Sequence, residues 1–169
     1  MKRVALLLND MITHNIITNC AIFGPIAQMR YTEAVATMDV DVLVAAHEIN
    51  GLNVLEPIYN FCGTRGWRPE GEAIRVGSWP VQFIPAFDPV TREAMRLAEI
   101  GEIEGVPLRV VRADYLAIIA LSVGRAKDFV RILALLENNS VKSNDIEKLA
   151  RNFGLQAKWL SFKEKFLDA

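Results

Sequence analysis

Met38-Asp39-Val40-Asp41-Val42-Leu43-Val44 places an acidic residue at every second position of its first half and an apolar one between. That alternation is strand behaviour, because residues two apart on a strand share a face. Asp39 and Asp41 therefore project together, with α-carbons roughly 7 Å apart. Val40, Val42 and Val44 point the other way, into a core. Two like charges on one face repel unless solvent or a cation intervenes. A hard cation such as magnesium takes carboxylate oxygens together with substrate phosphates, and this pair offers the carboxylates. Taken alone, the same alternation also describes a half-buried strand whose polar face meets water.

Working outward, the apolar positions Val4, Leu7, Leu8, Met11 and Ile12 recur at helical spacing and predict a helix over 3–15. Residues 16–22 read as a short strand. Gly24-Pro25 then opens a helix over Ile26–Tyr31, with proline early, where its missing N–H costs little. After the aspartate strand (38–44), Asn50 is a candidate cap for a helix over about 52–64, ended between Gly63 and Gly66. Two strands follow, at about 73–76 and 79–84. Asp88-Pro89 combines a cap with a proline at the first helical position and starts a helix over about 89–97. A hairpin across Gly105 joins 98–104 to 107–111. From Ala113 onward the pattern is helical: about 113–123, 126–138, 143–153 and 156–166.

The predicted class is α+β: a mixed sheet flanked by helices, with a helical C-terminal third. At 169 residues the chain is long enough for one core and short for two, so a single domain is expected over 1–169. Its sheet-bearing core covers about 1–111 and its helical part about 112–169. A net charge of −1 gives no global pull toward nucleic acid. Cys20 and Cys62 lie in apolar surroundings without metal-type spacing and read as buried thiols of a reducing compartment. The run Val4–Leu8 is too short for a membrane span and no convincing cleavage site follows it. The expectation is a cytoplasmic protein with no membrane association.

The stretch Cys20-Ala21-Ile22-Phe23-Gly24-Pro25-Ile26-Ala27-Gln28-Met29-Arg30-Tyr31, followed by Thr37-Met38-Asp39-Val40-Asp41-Val42, resembles the core of the DNA-polymerase-beta-like nucleotidyltransferase superfamily. That core runs strand, small-residue turn, helix, then Thr-x-Asp-x-Asp on the next strand. Asp114-Tyr115-Leu116-Ala117-Ile118 with Gly124-Arg125-Ala126-Lys127-Asp128 resembles the helical element of its minimal branch, which includes AbiEii-type toxin-like proteins of bacterial toxin–antitoxin systems. The resemblance implies transfer of a nucleoside monophosphate from a nucleoside triphosphate to an acceptor. It implies that Asp39 and Asp41 are catalytic and hold magnesium (or manganese) on the triphosphate. Gly24 would let backbone approach the phosphates, and Thr37, Arg30, Arg125 and Lys127 would contribute to the nucleotide site. An RNA or protein acceptor and an antitoxin-like protein partner are implied in the same way. Two positions depart from the family pattern. The turn is Gly24-Pro25 rather than Gly-Ser, and the strand expected to carry a third carboxylate has Gln82, which can neither bind a second metal as an anion nor take a proton. These departures motivate the alternative of a catalytically silent relative that binds nucleotide or a protein partner.

Other residues read structurally. His14 and His47 lack metal spacing. Trp67, Trp79 and Trp159 are packing residues first and base-stacking candidates second. Lys127 and Asp128 can form a solvated pair at a helix start, and Phe129, Ile132, Leu133 and Leu136 a core stripe. The aromatic and lysine-rich helix 156–166 either docks on the domain or offers a partner face.

Overall fold

The computed structural model describes residues 1–33, 36–45 and 55–168. The expected cap Asn50, the start of its helix and His47 lie outside them. The order is α1 (Lys2–Thr13), β1 (Asn19–Phe23), α2 (Gly24–Gln28), β2 (Val40–Ala45), α3 (Glu56–Thr64), β3 (Arg68–Glu70), β4 (Ala73–Val76), β5 (Trp79–Pro85), α4 (Pro89–Arg96), β6 (Glu99–Ile103), β7 (Val106–Val110), α5 (Ala113–Val123), α6 (Ala126–Glu137), α7 (Ser143–Asn152) and α8 (Gln156–Phe166).

The strands form one seven-stranded mixed sheet in the order β3-β4-β5-β2-β1-β7-β6. β2 lies at its centre, antiparallel to β1 and parallel to β5. A central strand is covered on both faces, which is why Leu43 is buried along with Val40, Val42 and Val44. β7 runs parallel to β1 and is joined to β6 by a tight hairpin. Its turn residues Glu104 and Gly105 both have positive φ (50° and 79°), as a two-residue hairpin of that handedness requires. α1 packs on β7 and α4 on β1 and β2. α5 is buried along most of its length and is surrounded by α4, α6, α7 and α8. This is the expected architecture, with the helical third built around α5. Among the described residues no helix is long and apolar enough to cross a membrane.

Several boundaries are set by contacts that periodicity does not see. β1 begins at Asn19, not residue 16. Asn15 ends α1 with φ at 55°, and Ile17 then tucks into the core before the strand starts. α2 stops at Gln28, far short of Tyr31. β2 starts at Val40, so Asp39 precedes the strand and only Asp41 lies within it. The described part of α3 begins at Glu56, with Leu55 at its cap position and no side-chain capping bond. β3 (Arg68-Pro69-Glu70) was not expected; it is a three-residue exposed edge strand in which proline sits where sheet edges tolerate it. The Asp88 cap is as expected: its carboxylate accepts from the backbone N–H groups of Val90 and Thr91.

Cys20 and Cys62 are both free and buried. Burial pushes each thiol up to about 11, with Arg109 and Arg65 respectively opposing it slightly. Both are therefore protonated, inert thiols at neutral pH. Trp159 is fully buried, stacked on Phe162, and α8 docks on α5 and α7 through this cluster.

Candidate active site

The site gathers at the end of the sheet where β1 finishes and β2 begins. Phe23 is the register partner of Asp41, so the turn into α2 passes directly over the Asp41 side chain. Gly24, with φ at 65°, lies against that carboxylate. A Cβ at Gly24 would sit 2.2 Å from Asp41 Oδ2 and 3.1 Å from its Cγ. Glycine is required here twice over, by the left-handed backbone and by the close approach. Gly24→Ala is expected to lose about 1–2 kcal/mol from the backbone conformation alone and to force the Asp41 carboxylate aside. Thermal denaturation should show a melting temperature lowered by roughly 2–8 °C for a chain of this size, and the variant should also lose any nucleotide-induced shift.

Asp39 is exposed at the site's mouth, and Thr37 braces it. The Thr37 hydroxyl lies 3.1 Å from the Asp39 carbonyl oxygen and 3.3 Å from Oδ1. Asp41 is half-buried, and burial raises its pKa above the ordinary carboxylate value. The neighbouring Asp39 charge raises it further, while Arg131, Lys127 and Arg125 pull the other way. The two acids therefore repel, as their spacing implied, and three cations from one helix face Asp41.

Those cations belong to α6. Asp128 is 1% exposed, so it is not the solvated partner of Lys127. Its Oδ2 accepts from Arg125 Nε at 2.7 Å and from the Arg125 backbone N–H at 3.1 Å. Its Oδ1 accepts from Arg131 Nη1 at 3.4 Å. Arg131 Nε in turn donates to Gln28 Oε1 on α2, at 3.1 Å. The chain of bonds Gln28–Arg131–Asp128–Arg125 fastens α6 to α2 and holds its basic residues toward Asp41. Arg131 and Gln28 were not singled out from the sequence, and Asp128 was expected only as half of a solvated pair. The available signal was the Arg125-x-x-Asp128-x-x-Arg131 spacing, which puts all three on one helix face. Lys127 is exposed on the same arm.

Arg30 is placed elsewhere. Its guanidinium bonds Glu99 Oε2 (3.3 Å) and the Ile100 carbonyl (3.4 Å) on β6. Gln82 is where the third carboxylate was expected, as the register partner of Asp41 on β5. α2 has five residues, so it supplies few free N–H groups and a small dipole. Among the described residues no three His, Cys, Asp or Glu side chains form a group able to hold a metal by themselves. Two carboxylates do suit magnesium that arrives with a triphosphate, since this ion is bound by one or two carboxylates plus substrate phosphates.

No protein-family model matches the sequence, and no curated protein matches it. Solved structures do. The solution structure of the antibiotic-resistance factor ANT(2'')-Ia superposes with a TM-score of 0.57 over 97% of each chain, at 15% identity. An antigenic nucleotidyltransferase-like protein from Paracoccidioides brasiliensis gives 0.61 at 15% identity, over 98% of this chain and 87% of that one. The fold is that of the nucleotidyltransferase superfamily. A crystal structure of ANT(2'')-Ia in complex with adenylyl-2''-tobramycin aligns over 98% of this chain and 99% of that one, with a TM-score of 0.53 at 13% identity. The nucleotidyltransferase fold thus accounts for the helical third as well as for the sheet. At these identities the likeness is one of fold.

Proposed function

We propose that this nucleotidyltransferase-fold protein binds a nucleoside triphosphate with magnesium and transfers the nucleoside monophosphate to an acceptor hydroxyl. The observation that carries the reading is the convergence on one point: Asp41 against the Gly24 turn, Asp39 beside it, and the α6 cations facing Asp41. Asp39 and Asp41 would hold magnesium, or manganese, which accepts the same oxygen donors. The ion would supply positive charge to the triphosphate oxygens. Gly24 leaves room for backbone close to the phosphates. Arg125 and Lys127, exposed on the arm that Asp128 anchors, orient the β- and γ-phosphates and balance the charge of the leaving pyrophosphate.

The adenylylated tobramycin bound to ANT(2'')-Ia supports a small hydroxyl-bearing acceptor. Transfer RNA and protein hydroxyls are acceptors of the same chemistry. The likeness of the Gly124–Asp128 segment to the AbiEii branch supports a toxin-like role with an antitoxin-like partner. The two protonated thiols suit a cytoplasmic setting.

In a melting experiment, magnesium with the matching triphosphate at about 100 times its dissociation constant should stabilise the protein by about 2.7 kcal/mol, roughly 5–10 °C. No shift with any of the four ribonucleoside triphosphates would overturn the reading. Gln82 favours a second one, in which nucleotide binds without transfer. A melting shift with no labelled nucleotide passing to RNA, protein or tobramycin would select it.

A further inference from the structure

Gln82 is not the last group on its face of the sheet. Asp41 and Gln82 are register partners in the parallel ladder of β2 and β5, so their side chains share a face about 5 Å apart. Glu72 lies in the turn between β3 and β4. Gln82 Nε2 donates to Glu72 Oε2 at 3.2 Å, and the Tyr59 hydroxyl of α3 donates to the Glu72 carbonyl oxygen at 3.4 Å. Gln82 thus holds a carboxylate on the Asp41 face, one side chain further across the sheet. That carboxylate is too far to complete a metal-holding group with the two aspartates, and among the described residues no such group of three exists.

The charges around Asp41 are segregated. The cations arrive from α6, which Gln28 fastens to α2, and α2 packs on β1 and β2. The extra carboxylate arrives from the opposite side, over β5. Phosphoryl groups are transferred in line, with attacking and leaving oxygens on opposite sides of phosphorus. Pyrophosphate departing toward the α6 cations leaves the β5 side for the acceptor.

We infer that Glu72, held by Gln82, is the general base of the transfer, a role that rests on the nucleotidyltransferase reading. The acceptor hydroxyl gives its proton to the Glu72 carboxylate as its oxygen bonds to the α-phosphorus. The bond from that phosphorus to the bridging oxygen breaks, and pyrophosphate leaves with the electron pair. Glu72 is exposed and returns the proton to water. Gln82 is the positioning residue, and its inability to take a proton is then no obstacle to catalysis.

The test measures pyrophosphate release and product formation from each ribonucleoside triphosphate with magnesium, using total transfer RNA and tobramycin as acceptors. Glu72→Gln should slow transfer by about 10²–10⁴-fold, the usual worth of a general base. It should keep the nucleotide-induced melting shift, and Glu72→Asp should recover part of the rate. Equal rates in Glu72→Gln and the unmodified protein would overturn the inference, as would loss of the melting shift in that variant. Nucleotide binding without turnover in the unmodified protein would overturn it too, while leaving nucleotide binding intact. Absence of both binding and turnover would remove the nucleotidyltransferase reading and Glu72's role together.

Discussion

Asp41→Asn is expected to melt at a higher temperature than the unmodified protein and yet to lose its response to magnesium and nucleoside triphosphate. Asp41 is half-buried, beside Asp39, and its pKa is raised by burial first and by that neighbouring charge second. A carboxyl whose pKa is higher in the folded state contributes stability at low pH, and that contribution is lost as pH rises through the folded value. At neutral pH the ionised Asp41 therefore costs stability. Asparagine keeps the shape against Gly24 and removes the charge. The gain should lie at about 0.5–2 kcal/mol, typical when a functional group's strain is relieved, or roughly 1–8 °C. The advantage should shrink in acid, where Asp41 of the unmodified protein is itself protonated. Loss of the triphosphate-induced shift should be complete, because one of two carboxylates that would hold magnesium is gone. A shift of undiminished size in Asp41→Asn would place the nucleotide somewhere other than this turn.

The same residue shows what a sequence reveals. The alternation around Asp41 located the central strand, since it follows from a period of two, although Asp39 falls just outside that strand. The Asp88 cap, the Gly105 turn and the limits of α5 and α8 were equally legible, because each is fixed by residues next to one another in the chain. The hidden features come from partners distant in sequence. Arg30 stands near the glycine turn in sequence but pairs with Glu99, 69 residues away. Asp128 looked like the neighbour of an exposed lysine, and its burial depends on Arg131 reaching Gln28, 103 residues distant. The α6 stripe was read as Phe129, Ile132, Leu133 and Leu136, whereas Ile132 and Leu135 are the buried apolar pair and the other three only flank the core. Glu72 gave no signal, being an exposed acid in a turn that follows β3, the one strand the sequence did not announce, with its partner Gln82 ten residues on.

Asp128→Asn should have the opposite effect to Asp41→Asn, although both carboxyls face the same cations. Burial alone would raise the Asp128 pKa. The side-chain and backbone hydrogen bonds from Arg125 and the charges of Arg125 and Arg131 outweigh it, leaving the carboxyl below its ordinary value. Such a group contributes stability above the unfolded pKa of about 4, and that contribution is lost as pH falls through the lower folded value. Removing the charge strands Arg131, whose side chain is 14% exposed, without its anion. Breaking a buried pair from one side typically costs 3–5 kcal/mol. Because Arg125 faces solvent, the low end applies, about 3 kcal/mol or roughly 6–12 °C. The deficit should be largest near neutrality and should narrow below about pH 4, unlike that of a wholly apolar core defect, which pH would leave flat. The nucleotide effect should also weaken, because Arg131 released from Asp128 is free to pair with Asp41 and oppose the cation that Asp41 would hold. A stability loss independent of pH, with the triphosphate response intact, would mean that Asp128 merely caps α6 and does not set the charge at the site.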